Sequence, residues 1–297
     1  MPSPLVARIV ARRGALLVAA LALVSLTQRL LPGDGARSAL GPHATEAQRA
    51  ALRHDLWLDR AWPVQFGHWA KGAVAGDFGT TLHGAPVSEV VGSALPNTLL
   101  LAGCAFVIVS LLAPVFGGLW ALSGASRFSA ISTVLIATPE FVVAVALVLV
   151  FAMWLDWLPA ASVGETDATA LILPVVALAL PQLAWNTAVA HAAVADQLRA
   201  PHVAAAIRDG LTGRRVFTRH VLPSALPAIT GSLGTTAGLL FSGALVVESV
   251  FNIPGLGQVI TGAVTGRDHD LVLGALAPAV ALLSLVLCVA DFSRNRA

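Results

Sequence analysis

The residues best equipped for chemistry in this chain lie between 199 and 223. There Arg199, Arg208, Arg214, Arg215 and Arg219 crowd a short polar stretch, with AAAIRDGLTGRRVFTRHVLP at 204–223. Guanidinium groups stay charged and present a fork of donors that suits carboxylates and phosphates. They are binding groups rather than nucleophiles. Ala204, Ala205 and Ala206 favour helix and are small enough for close packing. Gly210 suits the left-handed residue that ends a helix, and Pro223 closes the basic turn. The spacing predicts a short helix that docks into another protein. An ordinary basic loop that anchors topology is the alternative.

Other chemistry is sparse. No GxxxxGK[ST] loop occurs, and no Lys-Ser/Thr follows Gly255-Leu256-Gly257, so any ATP must be bound by a partner. The eight histidines form no His-x-x-x-His pair, and Cys104 and Cys288 sit in apolar runs as small buried hydrophobes. No catalytic site, metal site or bound cofactor is expected. Four residues stand out inside apolar stretches. Glu140 follows Pro139, either at a kink lining a cavity or in a buried hydrogen bond. Trp185 and Asn186 could touch a solute, although a lone polar residue in a membrane helix commonly bonds its neighbours. Glu248 lies near the end of its run, where it lines a path or locks the following loop. Gly231, Gly234 and Gly238 suit close helix packing, inside the chain or at a dimer interface.

The elements that carry these residues follow from composition. Charged residues are 11%, apolar residues 57%, and mean hydropathy is +0.80. Soluble domains carry about 25% charge, so the chain reads as a polytopic membrane protein. Its apolar runs are too long for barrel strands, which leaves helices. Six spans are predicted, near 8–30, 96–123, 130–155, 169–195, 225–249 and 271–290. The first lacks a small-x-small cleavage site around Leu26-Thr27-Gln28 and is expected to be retained. Residues 32–92 carry both charge signs and predict short helices and turns in an external cap. Residues 250–270 are expected to form an external re-entrant or loop segment. Eleven arginines fall in the segments assigned to the cytoplasm: Arg8, Arg12, Arg13, Arg127, Arg199, Arg208, Arg214, Arg215, Arg219, Arg294 and Arg296. That bias puts both termini and residues 196–222 inside.

The stretch 204–223 resembles the EAA loop of ATP-binding-cassette (ABC) importer permeases: Glu-Ala-Ala, three residues, Gly, then about ten residues to Leu-Pro. Ala204 stands where that pattern has Glu, and Pro201-His202 stand where it has Asp-Tyr. Further segments resemble the dipeptide/oligopeptide/nickel branch of the same family. They are Arg29-Leu30-Leu31-Pro32-Gly33-Asp34, Leu56-x-Leu58-Asp59-Arg60, Gly76-Asp77-Phe78-Gly79-Thr80-Thr81, Leu95-Pro96-Asn97-Thr98, and the run from Val247 to Gly257. The resemblance implies an all-α, polytopic importer permease with six transmembrane helices. Residues 1–92 would hold the first helix and extracytoplasmic segment, and 93–291 the core with its coupling loop. It further implies a second homologous permease subunit, two ABC ATPases carrying ATP and Mg, an extracytoplasmic solute-binding protein, and a bacterial inner membrane. Membrane lipid is an expected partner and nucleic acid is not. The cargo would be a di- or oligopeptide, with a nickel or metal chelate as the alternative. A secondary transporter or channel is the reading from another class.

Overall fold

The computed structural model describes residues 4–30, 35–41, 43–123, 127–161 and 168–294. In chain order the helices are α1 Pro4–Leu30, α2 Gly35–Leu40, α3 Glu46–Asp55, α4 Trp62–Val74, α5 Val87–Ser123, α6 Arg127–Ala137 and α7 Glu140–Leu147. A π-helical segment, Val148–Trp154, extends α7, and a 3-10 turn, Ala168–Leu171, leads into α8 Ile172–Leu198. Then come α9 Pro201–Arg208, α10 Gly213–Val216, a π segment Phe217–Val221, α11 Leu222–Phe251, α12 Leu256–Gly266 and α13 His269–Arg294. Among the described residues the single β feature is an isolated bridge, Thr80 to Pro86. The chain is all-α and polytopic.

Among the described residues, four helices are long and apolar enough to cross a membrane: Arg8–Leu30, Val87–Ser123, Ala168–Leu198 and Gly213–Phe251. The predicted third span is not one rod. Its halves, Ser129–Ala137 and Glu140–Trp154, meet at a bend of 99°. Pro139 supplies no N–H and is itself extended, with ψ 146°, which breaks the ladder there. The second span begins at Val87 rather than near Pro96, because the helix runs on through that proline. At 37 residues it is about 55 Å long, well beyond a hydrocarbon core of about 30 Å. The sixth predicted span falls within α13, His269–Arg294, whose described apolar part is His269–Leu285. Residues expected as a re-entrant or loop segment include a regular helix, α12. Residues 31–34, within the first quoted family segment, lie outside the described residues.

The chain gathers into two compact units, residues 1–99 with 252–288, and residues 100–251 with 289–297. This division by packing differs from the sequence division at 92/93, because 252–288 folds with the N-terminal part.

In the first unit Leu21, Trp69 and Leu273 form a buried apolar cluster, joined by Phe66, Phe78 and Leu276. Thr45 caps α3 in a reciprocal capping box with Gln48. The quoted segments bind one another here. Asn97 Nδ2 donates to Pro254 O at 2.8 Å, and the Leu256 N–H donates to Thr98 Oγ1 at 2.9 Å. Asp268, 5% exposed, accepts from the Leu82 N–H at 2.8 Å and the Leu271 N–H at 3.1 Å, closing the start of α13. Trp57, at φ 58°, stacks on His68 at 4.1 Å between centroids, with the Arg60 guanidinium over its ring. Asp59 sits below the usual carboxylate range, first because His54 Nδ1 bonds it at 3.2 Å and also because of the Arg60 charge.

In the second unit α8 packs against α6, α7 and α11. Gly117 on α5 lets two backbones approach: a Cβ there would lie 2.7 Å from Thr187 O and 2.8 Å from His191 N. Trp120 stacks on His191 at the same crossing. Small residues at helix crossings are how membrane helices gain dispersion contacts when lipid removes the hydrophobic drive.

Candidate functional site

The basic hairpin carries a short helix, α9, where the spacing predicts one. Pro201 occupies the first helical turn of α9, where a missing N–H costs nothing. The helix ends in a Schellman motif: the Gly210 N–H donates to Ile207 O at 3.0 Å and the Leu211 N–H to Ala206 O at 3.2 Å. Gly210 takes φ +81° to allow this. Val203 and Ala206 are buried in a cluster with Val194, Val216, Val221 and Ala225, which seats the hairpin on its own helices.

The opposite face of α9 is open. His202, Ala204, Ile207 and Arg208 are exposed, and Ile207 keeps 58% of its surface. Ala205 is half-buried. Arg214, Arg215 and Arg219 are exposed on the return arm and form no ion pair among the described residues; Pro223 is exposed just beyond. The structure therefore splits the three alanines: Ala204 faces outward and Ala206 inward. The hairpin thus exposes Ala204 and Ile207 together with Arg208, Arg214, Arg215 and Arg219.

The four polar candidates inside the apolar helices are not brought together as one group. Asn186, 3% exposed, is saturated by its own chain. Its Nδ2 donates to Thr236 Oγ1 and to Gln182 O, both at 2.8 Å, and its Oδ1 accepts from Ser232 Oγ at 2.8 Å. It ties α8 to α11. Trp185, the preceding residue, faces another way and is 47% exposed. Glu248 is fully buried in α11 beside Val247 and Phe251. Glu140 begins α7 at the 99° bend and is half-buried, with Gln182 Nε2 at 3.5 Å from its Oε1.

Gln182, Ser232, Thr236 and Ile207 were not singled out by sequence. A signal existed for three of them: 182 and 186 on α8, and 232 and 236 on α11, are both polar pairs spaced i,i+4, so each pair shares a helix face.

Long apolar helices joined by a basic helical hairpin define the class of polytopic membrane proteins. The chain belongs to the family described as binding-protein-dependent transport system inner membrane component, which its residues 115–295 match. It is a permease subunit of an ABC importer and a multi-pass inner membrane protein, which sets aside the secondary transporter or channel. It is 29% identical over 284 residues to a protein of Sinorhizobium fredii named "Probable peptide ABC transporter permease protein y4tP", covering 91% of this chain and 90% of that one. It is 32% identical over 255 residues to the glutathione transport system permease protein GsiC of Escherichia coli (strain K12), covering 84% of this chain and 83% of GsiC. Its fold is similar to a chain of the MetNI methionine ABC transporter in inward-facing conformations. The TM-score is 0.56 at 17% identity, over 70% of this chain and 96% of that one.

Proposed function

We propose that this permease carries di- or oligopeptides inward, as one half of a path completed by a second homologous permease. Two cytoplasmic ABC ATPases would bind ATP and Mg, and an extracytoplasmic solute-binding protein would deliver cargo. Both termini and residues 196–222 would lie in the cytoplasm, with the 32–92 segment outside. The observation that carries the reading is α9: a two-turn helix fixed by Val203 and Ala206 on one side and open at Ala204, Ile207 and Arg208 on the other. Such a helix can sit in an ATPase groove and move with it. Closure of the ATPases on ATP would then shift the two permease halves and open the path outward. Arg214, Arg215 and Arg219 would hold the contact by pairing with carboxylates, or with lipid phosphates beside it. The peptide cargo is drawn from the printed names of the relatives.

The test is reconstitution. The purified chain alone is expected to turn over no ATP. Co-expressed with the partner permease, ATPases and binding protein, it is expected to support ATP-dependent uptake of a labelled dipeptide. Uptake of nickel but not dipeptide would transfer the cargo to the metal-chelate alternative. Robust ATP turnover by the isolated chain would overturn the division of labour. Single cysteines at 60 and 213, on a Cys104→Ser, Cys288→Ser background, report sidedness. Position 60 should label in intact cells with an impermeant reagent, and 213 should not.

A further inference from the structure

Glu140 and Gln182 have acceptor capacity that the chain leaves unspent. Gln182 is 8% exposed, and its Oε1 is buried with no donor in reach. Its Nε2 reaches Glu140 Oε1 only at 3.5 Å, the long limit of a hydrogen bond. Glu140 makes no ion pair among the described residues. A buried acceptor left without a donor is unfavourable, and a carboxylate at membrane depth is retained where it has a function. Here both occur side by side, on α8 and at the start of α7.

The surroundings hold this pair in place. Glu140 is the first residue of α7, where free N–H groups at the helix start favour a negative charge. Gly243 on α11 passes close by: a Cβ there would sit 2.8 Å from Leu178 Cδ1 and 3.7 Å from the Glu140 carboxylate. One turn further along α8, Asn186 is locked to Thr236 and Ser232, which fixes the face that carries Gln182. The pair also lies beside the 99° bend at Thr138–Pro139.

We propose that Glu140 and Gln182 form a subsite for the ammonium group of the transported molecule. Two oxygen acceptors, one of them anionic, call for a compact cation with several donors. An ammonium has three and no acceptor. A peptide's free amino terminus supplies this group at neutral pH, so the subsite rests on the peptide reading above. Asn186 then acts as a positioning residue, and Gln182 joins Glu140 as a contact to cargo.

The experiment compares labelled dialanine with N-acetyl-dialanine, which lacks the ammonium, using the complete importer in proteoliposomes. The readout is the ratio of the two uptake rates, which a merely structural role would not move. The parental importer is expected to prefer dialanine by about tenfold or more, the size of a charge-assisted hydrogen bond. Glu140→Gln should bring the ratio to within about twofold, and Gln182→Leu should lower it partway. If Glu140→Gln does not assemble with its partners, Glu140→Asp, which keeps the charge, should assemble and retain a reduced preference. An unchanged ratio in both Glu140→Gln and Gln182→Leu means that the pair holds a water only, and overturns the subsite while leaving the peptide reading intact. A parental importer that moves neither probe overturns the peptide reading and the subsite together.

Discussion

Two glycines with nearly the same backbone conformation show how differently the two polar regions of this molecule are built. Gly79, in the 35–86 segment, has φ +87°, and Gly210, in the basic hairpin, has φ +81°. A Cβ on Gly79 would lie 2.5 Å from Asp270 Oδ2 and 3.3 Å from Asp270 Cβ, whereas one on Gly210 would meet nothing within 4 Å. The first region turns its polar groups on itself. Asp77 accepts from the Gly79 N–H, Asp268 from Leu82 and Leu271, and Trp57 stacks on His68. The second leaves its arginines and Ile207 facing out. Sharp turns in the first region serve internal packing. In the hairpin the same turn serves to present a surface.

Substituting the two glycines by valine is the strongest way to break this contrast. Gly79→Val combines left-handed strain of about 1–2 kcal/mol with overpacking of about 1–3 kcal/mol. It is expected to lower the thermal midpoint of the purified protein markedly and to reduce membrane yield. Gly210→Val carries the strain alone. Insertion and midpoint should stay close to parental while uptake per inserted molecule falls by about tenfold or more. Equal loss of stability in both variants would erase the distinction. A Gly210→Val protein that holds its ATPases and transports at the parental rate would remove the hairpin as the coupling element.

The hairpin was legible because charge punctuates an apolar chain, and because its helix end depends on local contacts alone. Gly210, Ala206 and Ile207 are neighbours in sequence, so the Schellman motif could be read from spacing. Long-range dependence hid the rest. Pro139 signalled a break, but an angle of 99° depends on α6 and α7 each packing against α8. Pro96 looked like a helix start, yet the helix continues upstream to Val87. Asp268 serves Leu82, 186 residues away, and no local pattern announces that. Of the path candidates, Asn186 was visible as a polar residue in an apolar run. Its saturation by Thr236 and Ser232 required the α8–α11 crossing, and the unsatisfied Gln182 emerged only from that geometry.

A milder change sharpens the hairpin's role. Neutralising two exposed arginines, Arg214→Gln with Arg215→Gln, removes contacts worth at most about 1 kcal/mol each. ATPase co-purification should weaken severalfold at low salt, with the midpoint of the isolated chain unchanged. Because such pairs are screened, the gap between variant and parent should close as ionic strength rises. A gap that persists in high salt would mean that the arginines act through packing rather than charge.

The smallest expected effect lies back in the 35–86 segment, at Asp59. Its carboxyl is bonded by His54 Nδ1 at 3.2 Å and faces Arg60 Nε at 3.7 Å, on an exposed surface where solvent weakens both contacts. Its ionisation is held below the ordinary carboxylate range, first by the His54 hydrogen bond and then by the Arg60 charge, against an opposing desolvation. A depressed carboxylate contributes stability that is present above its unfolded value and lost as pH falls through its folded value. Asp59→Asn should therefore leave neutral-pH uptake and ATPase co-purification unchanged. It should flatten slightly the acid-side decline of the thermal midpoint, measured between about pH 5 and pH 3. Because the pair is exposed, the flattening should vanish in high salt. An Asp59→Asn variant that loses uptake at neutral pH would show that this region, too, spends its charge on a partner rather than on itself.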